Sequence, residues 1–427
     1  MKKLITIIIM TLFLILNISS AVMATANPPA VSADSVVLMD ATTGKILYEK
    51  NKNTAYPPAS TTKIMTVLLV LENGNLEDMV TVSKNAENAD GSKIYLFEGE
   101  KISVKELLYG LILASANDCA IALAEHISGS TEEFANLMNE KAKSLGAKNT
   151  NFVNPNGLYD INHKTSAYDL ALIMQELTKH TEYKEIATTP SYIMAPTNKS
   201  VEKRPLWNGN RLIHSGDSYY YQGCEGGKTG YTVQSKHSYI AVASRNGQKL
   251  IVSLIHDSAK TFFSDSRKLF DYGFKNFELS KFLNKDDVVS NITLEDGTVI
   301  PLLAAQDFYI VKAKDSTLTP TINPPKKSLD ISSFKKGDVV SNTLITCGED
   351  SYTLALSSGL DYTKKSLSRG NILSGSNPND SKSSSLLLDI IKYLAISLAI
   401  FVVFMRVRKI RKRKRLKREI NKFNNKY

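Results

Sequence analysis

"PPASTTKIMT" (57–66) places a hydroxyl and an amine three positions apart, just after a Pro-Pro pair, and its reading decides the fold. Ser is a favoured helix N-cap, because its side-chain oxygen accepts a free amide hydrogen of the first turn. Ile64, Met65, Val67, Leu68, Leu69 and Leu71 then follow with the spacing of a well-buried helix. Residues i and i+3 share a helical face, so the amine of Lys63 also reaches the hydroxyl of Ser60. An amine desolvated by apolar neighbours loses basicity until it serves as a general base near neutral pH. Taken alone, the stretch leaves a cap and a nucleophile both open.

Working outward, "DSVVLMDATTGKILYE" (34–49) alternates as strand, turn and strand. Helical periodicity dominates from Pro57 to about Lys179, as in "VKELLYGLILAS" and "EEFANLMNEKAKSLG". Strands return from Gly226 to Asp257, where "SYIAVAS" and "KLIVSLI" flank the hairpin signal Asn246-Gly247. Strand, then helices, then strands predicts one α/β domain whose antiparallel sheet is completed by both ends of the segment. After Leu279 short strands take over, among them "NITLEDGTVIPLL", "FKKGDVVSNTLITC" and "SYTLALSSG", and residues 280–366 read as a small all-β domain.

The net charge of +11 is local: residues 406–427 hold 12 Lys/Arg and one Glu, and the remaining 41 basic and 41 acidic residues balance. A nucleic-acid partner is excluded on this ground, because such a protein carries its charge on the folded domain. The ends read as targeting segments. Residues 1–26 have Lys2 and Lys3, an apolar run and "SSAVMATA", which is the pattern of a signal peptide cut near Ala24 or Ala26. Residues 367–385 have linker composition, and "LLLDIIKYLAISLAIFVVFM" (386–405) is about one bilayer long. The basic tail 406–427 that follows predicts a cytoplasmic end, with residues 27–279 and 280–366 outside a membrane that the helix spans. The rival expectation is an amphipathic helix lying on the membrane. Cys119, Cys224 and Cys347 are too few for a disulfide framework, although one pair stays open, and no HExxH or CxxC spacing predicts a metal. No cofactor is expected.

Two more stretches change the weight of the first. "LASANDCA" contains Ser115-Ala116-Asn117, and "EGGKTGYT" contains Lys228-Thr229-Gly230 at the start of a predicted edge strand. Each alone reads as a cap or a turn. The ordered triplet SxxK, SxN, KTG, with 55 residues from Ser60 to Ser115 and 113 more to Lys228, resembles the penicillin-binding proteins and serine β-lactamases. "LMDATTGKILYEKN", "NEKAKSLGAKNTNFVNPNGL" (139–158) and "HKTSAYDLALIM" narrow the resemblance to the low-molecular-weight D-alanyl-D-alanine carboxypeptidases, strongly over 34–275 and by architecture over 280–366.

The fold this implies is a DD-peptidase-like α/β domain, a small β domain and a C-terminal transmembrane helix. Ser60 would stand at a helix start and attack the substrate carbonyl, with Lys63 taking its proton. Ser115 would relay that proton to the leaving amine, and Asn117 would bind both Lys63 and substrate. Lys228 and Thr229 would hold the terminal carboxylate. Gly230 would give the strand room, and the backbone N–H groups of Ser60 and Tyr231 would form the oxyanion hole. The expected partners are peptidoglycan stem peptides, β-lactam antibiotics and the membrane. His163, Tyr168, His126 and Trp207 read as packing residues, and no arginine, Arg245 included, is assigned to the carboxylate. The rivals are an endopeptidase, transpeptidase or β-lactamase of the same fold, and a peptidoglycan-binding protein without activity. No segment clearly supplies the extra carboxylate that a class A β-lactamase uses to deacylate. Intact Ser60 and Lys63 argue against a pure binder, which needs no base.

Overall fold

Alternation along the first strand pair is what makes a two-sided sheet. In the computed structural model, which describes residues 27–324 and 333–364, Ser35–Asp40 (β1) and Ile46–Lys50 (β2) pair antiparallel. Val37 and Met39 of β1 join one apolar core, and Val36 and Leu38 join another on the opposite face. Cys224–Thr232 (β3), Lys236–Arg245 (β4) and Gln248–Asp257 (β5) complete a five-stranded sheet in the order β2-β1-β5-β4-β3. The sheet is antiparallel and built from both ends of the segment, as the sequence predicts. Asn246 and Gly247 turn β4 into β5 with φ of 52° and 80°, the pair of positive values that a two-residue hairpin needs.

The first core is roofed by Lys63–Asn73 (α1), Val104–Leu113 (α2), Asn117–Ser128 (α3), Thr131–Ser144 (α4) and Ala167–Leu177 (α5). Ser103, Ser130 and Ser166 cap α2, α4 and α5 by accepting the amides of Glu106, Glu133 and Asp169. On the opposite face a single long helix, Phe262–Asn276 (α6), contributes Phe262, Leu269, Phe270 and Phe274.

Beyond α6, Phe277–Leu283 (β6) pairs with Phe308–Ala313 (β9). Val288–Thr293 (β7), Val299–Ala304 (β8), Thr321–Asn323 (β10), Val339–Cys347 (β11) and Asp350–Ser358 (β12) form a sheet in the order β7-β8-β12-β11-β10. It closes over Ile300, Leu302, Ile345, Leu354 and Leu356. The expected Asp-Gly hairpin joins β7 to β8.

One expectation is corrected. No helix among the described residues is long and apolar enough to cross a membrane. The span expected over 386–405, like the leader 1–26, the linker and the basic tail, lies outside the described residues. Among the described residues the fold is therefore an α/β domain with a small β domain and without a transmembrane helix, and the membrane partner and location derived from that helix are not carried further.

Candidate active site

The structure bears on the cap reading of Ser60. The residue lies inside a short 3-10 turn, Ala59–Thr62, that leads into α1, and neither the turn nor the helix has a side-chain cap. Ser60 stands at the start of the helix, as expected, but its side chain caps neither element. Its Oγ meets Lys63 Nζ at 3.0 Å instead. The backbone arrives there under strain, because Ala59 has a φ of 51° in the left-handed region, costly for a residue with a Cβ.

Lys63 is 1% exposed. Besides Ser60 Oγ, its Nζ donates to Asn117 Oδ1 at 2.7 Å and to the Asn156 carbonyl at 2.6 Å. Burial, and then the charge of Lys228, holds its pKa well below the ordinary 10.5, opposed by Asp118. A neutral amine has two N–H donors and one lone pair. With the donors spent on Asn117 and Asn156, the lone pair is left for the Ser60 hydroxyl. Once protonated, the same nitrogen has three donors for the same three acceptors. The site is thus wired for both forms.

Asn117 opens α3 and is itself held, its amide nitrogen donating to the Asp90 carbonyl at 2.6 Å and its backbone N–H to the Ser92 carbonyl at 2.7 Å. The other amide hydrogen is left over. Ser115 sits in the turn between α2 and α3 with φ 57°, a second strained position in the site. Its side chain makes no hydrogen bond to another described residue, so its place in the site follows from its position two residues before Asn117.

Lys228, Thr229, Gly230 and Tyr231 lie on β3, an edge strand of the sheet. Gly230 crosses the backbone of the Ser60 turn so closely that a Cβ there would stand 2.8 Å from Ser60 N and 2.9 Å from the Pro58 carbonyl. This contact brings the strand to Ser60. Lys228 is 6% exposed and donates only to the Thr229 carbonyl, at 2.9 Å. Burial pushes its pKa down to about 7. Tyr231 is exposed and stacks on His237.

Sequence reasoning missed the Asn154–Leu158 turn as machinery. Thr66 Oγ1 donates to the Pro155 carbonyl at 2.5 Å, and a Cβ on Gly157 would fall 1.9 Å from the Ala59 carbonyl. That turn therefore lies directly on the backbone of the Ser60 turn and presents the Asn156 carbonyl to Lys63. The "NPNGL" stretch marked the place, but a backbone acceptor has no side-chain signature. Arg245 is turned elsewhere, to the Tyr221 hydroxyl at 2.9 Å and Asp271 at 3.7 Å. Cys119, Cys224 and Cys347 are unpaired. Trp207 is 69% exposed and stacks on His214.

Residues 22–259 match the D-alanyl-D-alanine carboxypeptidase family, and residues 277–355 match the penicillin-binding protein 5 C-terminal domain. A D-alanyl-D-alanine carboxypeptidase of Bacillus subtilis, DacF, is 38% identical over 315 residues, 71% of this chain and 79% of that relative. The crystal structure of penicillin-binding protein 5 from Haemophilus influenzae superposes with a TM-score of 0.67 at 31% identity, covering 79% of this chain and all of that one. A point mutant of the Streptomyces K15 DD-transpeptidase gives 0.53 at 31% identity and covers 58% of this chain and 99% of its own. With its fold, its Ser60–Lys63–Asn117 cluster and both of its domains accounted for, this chain belongs to the D-alanyl-D-alanine carboxypeptidase family of low-molecular-weight penicillin-binding proteins.

Proposed function

We propose that this serine-type D-Ala-D-Ala carboxypeptidase works through an acyl-enzyme on Ser60 and removes the terminal D-alanine of peptidoglycan pentapeptides. The observation that carries this reading is the buried Lys63 amine, hydrogen-bonded to Ser60 Oγ with both donors otherwise engaged. Lys63 takes the proton as Oγ bonds to the penultimate carbonyl carbon. The N–H groups of Ser60 and Tyr231 receive the oxyanion. As the tetrahedral adduct collapses, the C–N bond breaks, and the proton passes from Lys63 through Ser115 to the departing D-alanine nitrogen. Lys228 and Thr229 hold the substrate carboxylate, and the free Asn117 amide hydrogen binds the substrate backbone. Water then splits the ester and restores Ser60. A β-lactam presents the same carbonyl and carboxylate, so it acylates Ser60 as well. The likeness to the Streptomyces DD-transpeptidase favours one second reading, transfer of the acyl group to an amine instead of water.

The test is D-alanine release from a peptide ending in Lys-D-Ala-D-Ala, by wild type and by Ser60→Ala. Release by wild type alone supports the reading. Release by both removes Ser60 from the chemistry. A new amide product in the presence of an added amine would favour the transpeptidase.

A further inference from the structure

His163 is a buried titratable group that this mechanism does not use. Its Nε2 lies 2.8 Å from Thr62 Oγ1, and its Nδ1 lies 3.0 Å from the backbone nitrogen of Val153. A backbone N–H only donates, so Nδ1 must hold the lone pair and Nε2 the proton, which Nε2 gives to Thr62 Oγ1. The ring is 1% exposed and packs against the edge of Phe152. The charged groups acting on it are Asp160 and Lys63. Burial, aided by the charge of Lys63, outweighs Asp160 and holds its pKa down to about 4, so it is neutral wherever the enzyme would work.

The two ends of this bridge are informative. Thr62 immediately precedes Lys63. Val153 leads into the turn in which Asn154 Oδ1 accepts the Asn156 and Gly157 amides and the Asn156 carbonyl accepts from Lys63. The ring therefore ties the lysine's own helix turn to the loop that supplies the lysine's third acceptor. We propose that His163 is a positioning residue for the general base: by clamping Val153 to Thr62 it fixes the Asn156 carbonyl, and so points the Lys63 lone pair at Ser60. The proposal rests on the Ser60–Lys63 reading above. The second anchor of the loop, from Thr66 to Pro155, stays in place when His163 is changed, so the loop keeps a tether and loses its aim.

The experiment measures Ser60 acylation by benzylpenicillin against pH, and kcat and KM on the Lys-D-Ala-D-Ala peptide, with the full chain. His163→Asn keeps an acceptor near Nδ1 and lacks the Nε2–H. His163→Gln does the reverse, and Thr62→Val removes the hydroxyl without changing shape. Each should lower plateau acylation and kcat on the order of 10–100-fold with KM unchanged, the cost of misplacing a reacting group by a fraction of an ångström. The acid limb should move to lower pH, because the Lys63 ammonium loses a fixed acceptor. The double variant His163→Asn/Thr62→Val should be no slower than the slower single, since both break one contact. Wild-type kcat and an unmoved acid limb in the variants would overturn the proposal. So would losses that multiply in the double variant. If the histidine variants do not fold, Thr62→Val decides alone. Labelling of Ser60→Ala equal to wild type would overturn the Ser60 reading itself, and this proposal with it.

Discussion

At the scale of single residues, the site holds two buried lysines to which the proposed mechanism gives opposite tasks. Lys63 has three acceptors and, in that mechanism, must be neutral to begin the reaction. Lys228 has one and, in the proposed mechanism, must be charged to hold a carboxylate. With its pKa at about 7, free Lys228 discharges as pH rises through neutrality. The bound carboxylate then restores the proton by favouring the charged form. We expect kcat/KM to fall above about pH 7 through a rising KM, while kcat stays level over the same range. A pH profile with the limb in kcat and a constant KM would contradict the assignment. The same burial has a consequence for stability. A lysine whose folded pKa lies below its unfolded value of about 10.5 binds fewer protons folded than unfolded. Its penalty is full below about pH 7 and fades as pH rises to 10.5. Lys228→Met should therefore abolish turnover yet raise stability at neutral pH by about 1 kcal/mol, or about 2–4 °C in Tm, with the gain shrinking toward pH 10. A lower Tm throughout would show that the lysine supports the fold. The Ser60, Lys63 and Asn117 cluster was legible in the sequence because it is made through side chains. Asn156 was not, because it acts through a carbonyl that any residue could supply. His163 was read as packing because one partner, Thr62, is far away in sequence and the other is a backbone N–H, which has no side-chain signature.

At the scale of elements, the site depends on close approach of three backbones: the Ser60 turn, β3 and the Asn154–Leu158 turn. The sheet, its hairpin and the helices were legible as alternation, Asn-Gly and periodicity of 3.6, all local signals. Crossings between elements distant in sequence leave only a glycine behind. A Cβ on Gly230 would meet Ser60 N, the Pro58 carbonyl and Ala59 Cβ, all within 3.1 Å. The two nearest of these are main chain, so relief requires β3 and the nucleophile turn to part. Gly230→Ala should keep the fold, with stability within about 3 kcal/mol of wild type, the usual range of overpacking, but slow benzylpenicillin acylation by on the order of 100-fold. Gly157 is tighter still, at 1.9 Å from the Ala59 carbonyl and with φ +86°. Both backbone strain and collision oppose Gly157→Ala, and its Tm should fall well below that of Gly230→Ala. Equal melting temperatures for the two would mean that the turn moves freely over Ala59, against the geometry here.

At the scale of the whole molecule, the sequence pattern located a second, all-β segment but could not show how it is joined. We propose that the catalytic domain is not complete at 279, where periodicity changes. That position falls inside β6, whose ladder partner is β9, about thirty residues further along. Val311 of β9 is 1% exposed and belongs to the same core as Phe270, Phe274 and Phe277. Lys45, in the turn from β1 to β2, adds an ion pair to Asp350 at 2.5 Å and a hydrogen bond to the Val311 carbonyl at 3.1 Å. These contacts are made at the β2 side of the sheet, and β3, which carries Lys228, is the opposite edge. Four strand spacings, roughly 19 Å, separate them. The Streptomyces transpeptidase, matched over 99% of its own length by 58% of this chain, shows that such a fold stands without a full second domain. A chain cut after residue 279 should therefore fold and be acylated by benzylpenicillin within about twofold of the full chain. It should also melt lower, because β6 loses its ladder partner and the α6 core loses Val311. Val311→Ala in the full chain reports the packing share separately, at about 1–3 kcal/mol for a buried aliphatic side chain cut back to Cβ. If the truncated chain melted with the full chain and Val311→Ala cost nothing, the second domain would be a passenger. A truncated chain stable but inert toward penicillin would instead mean that the β domain acts on the site across the sheet.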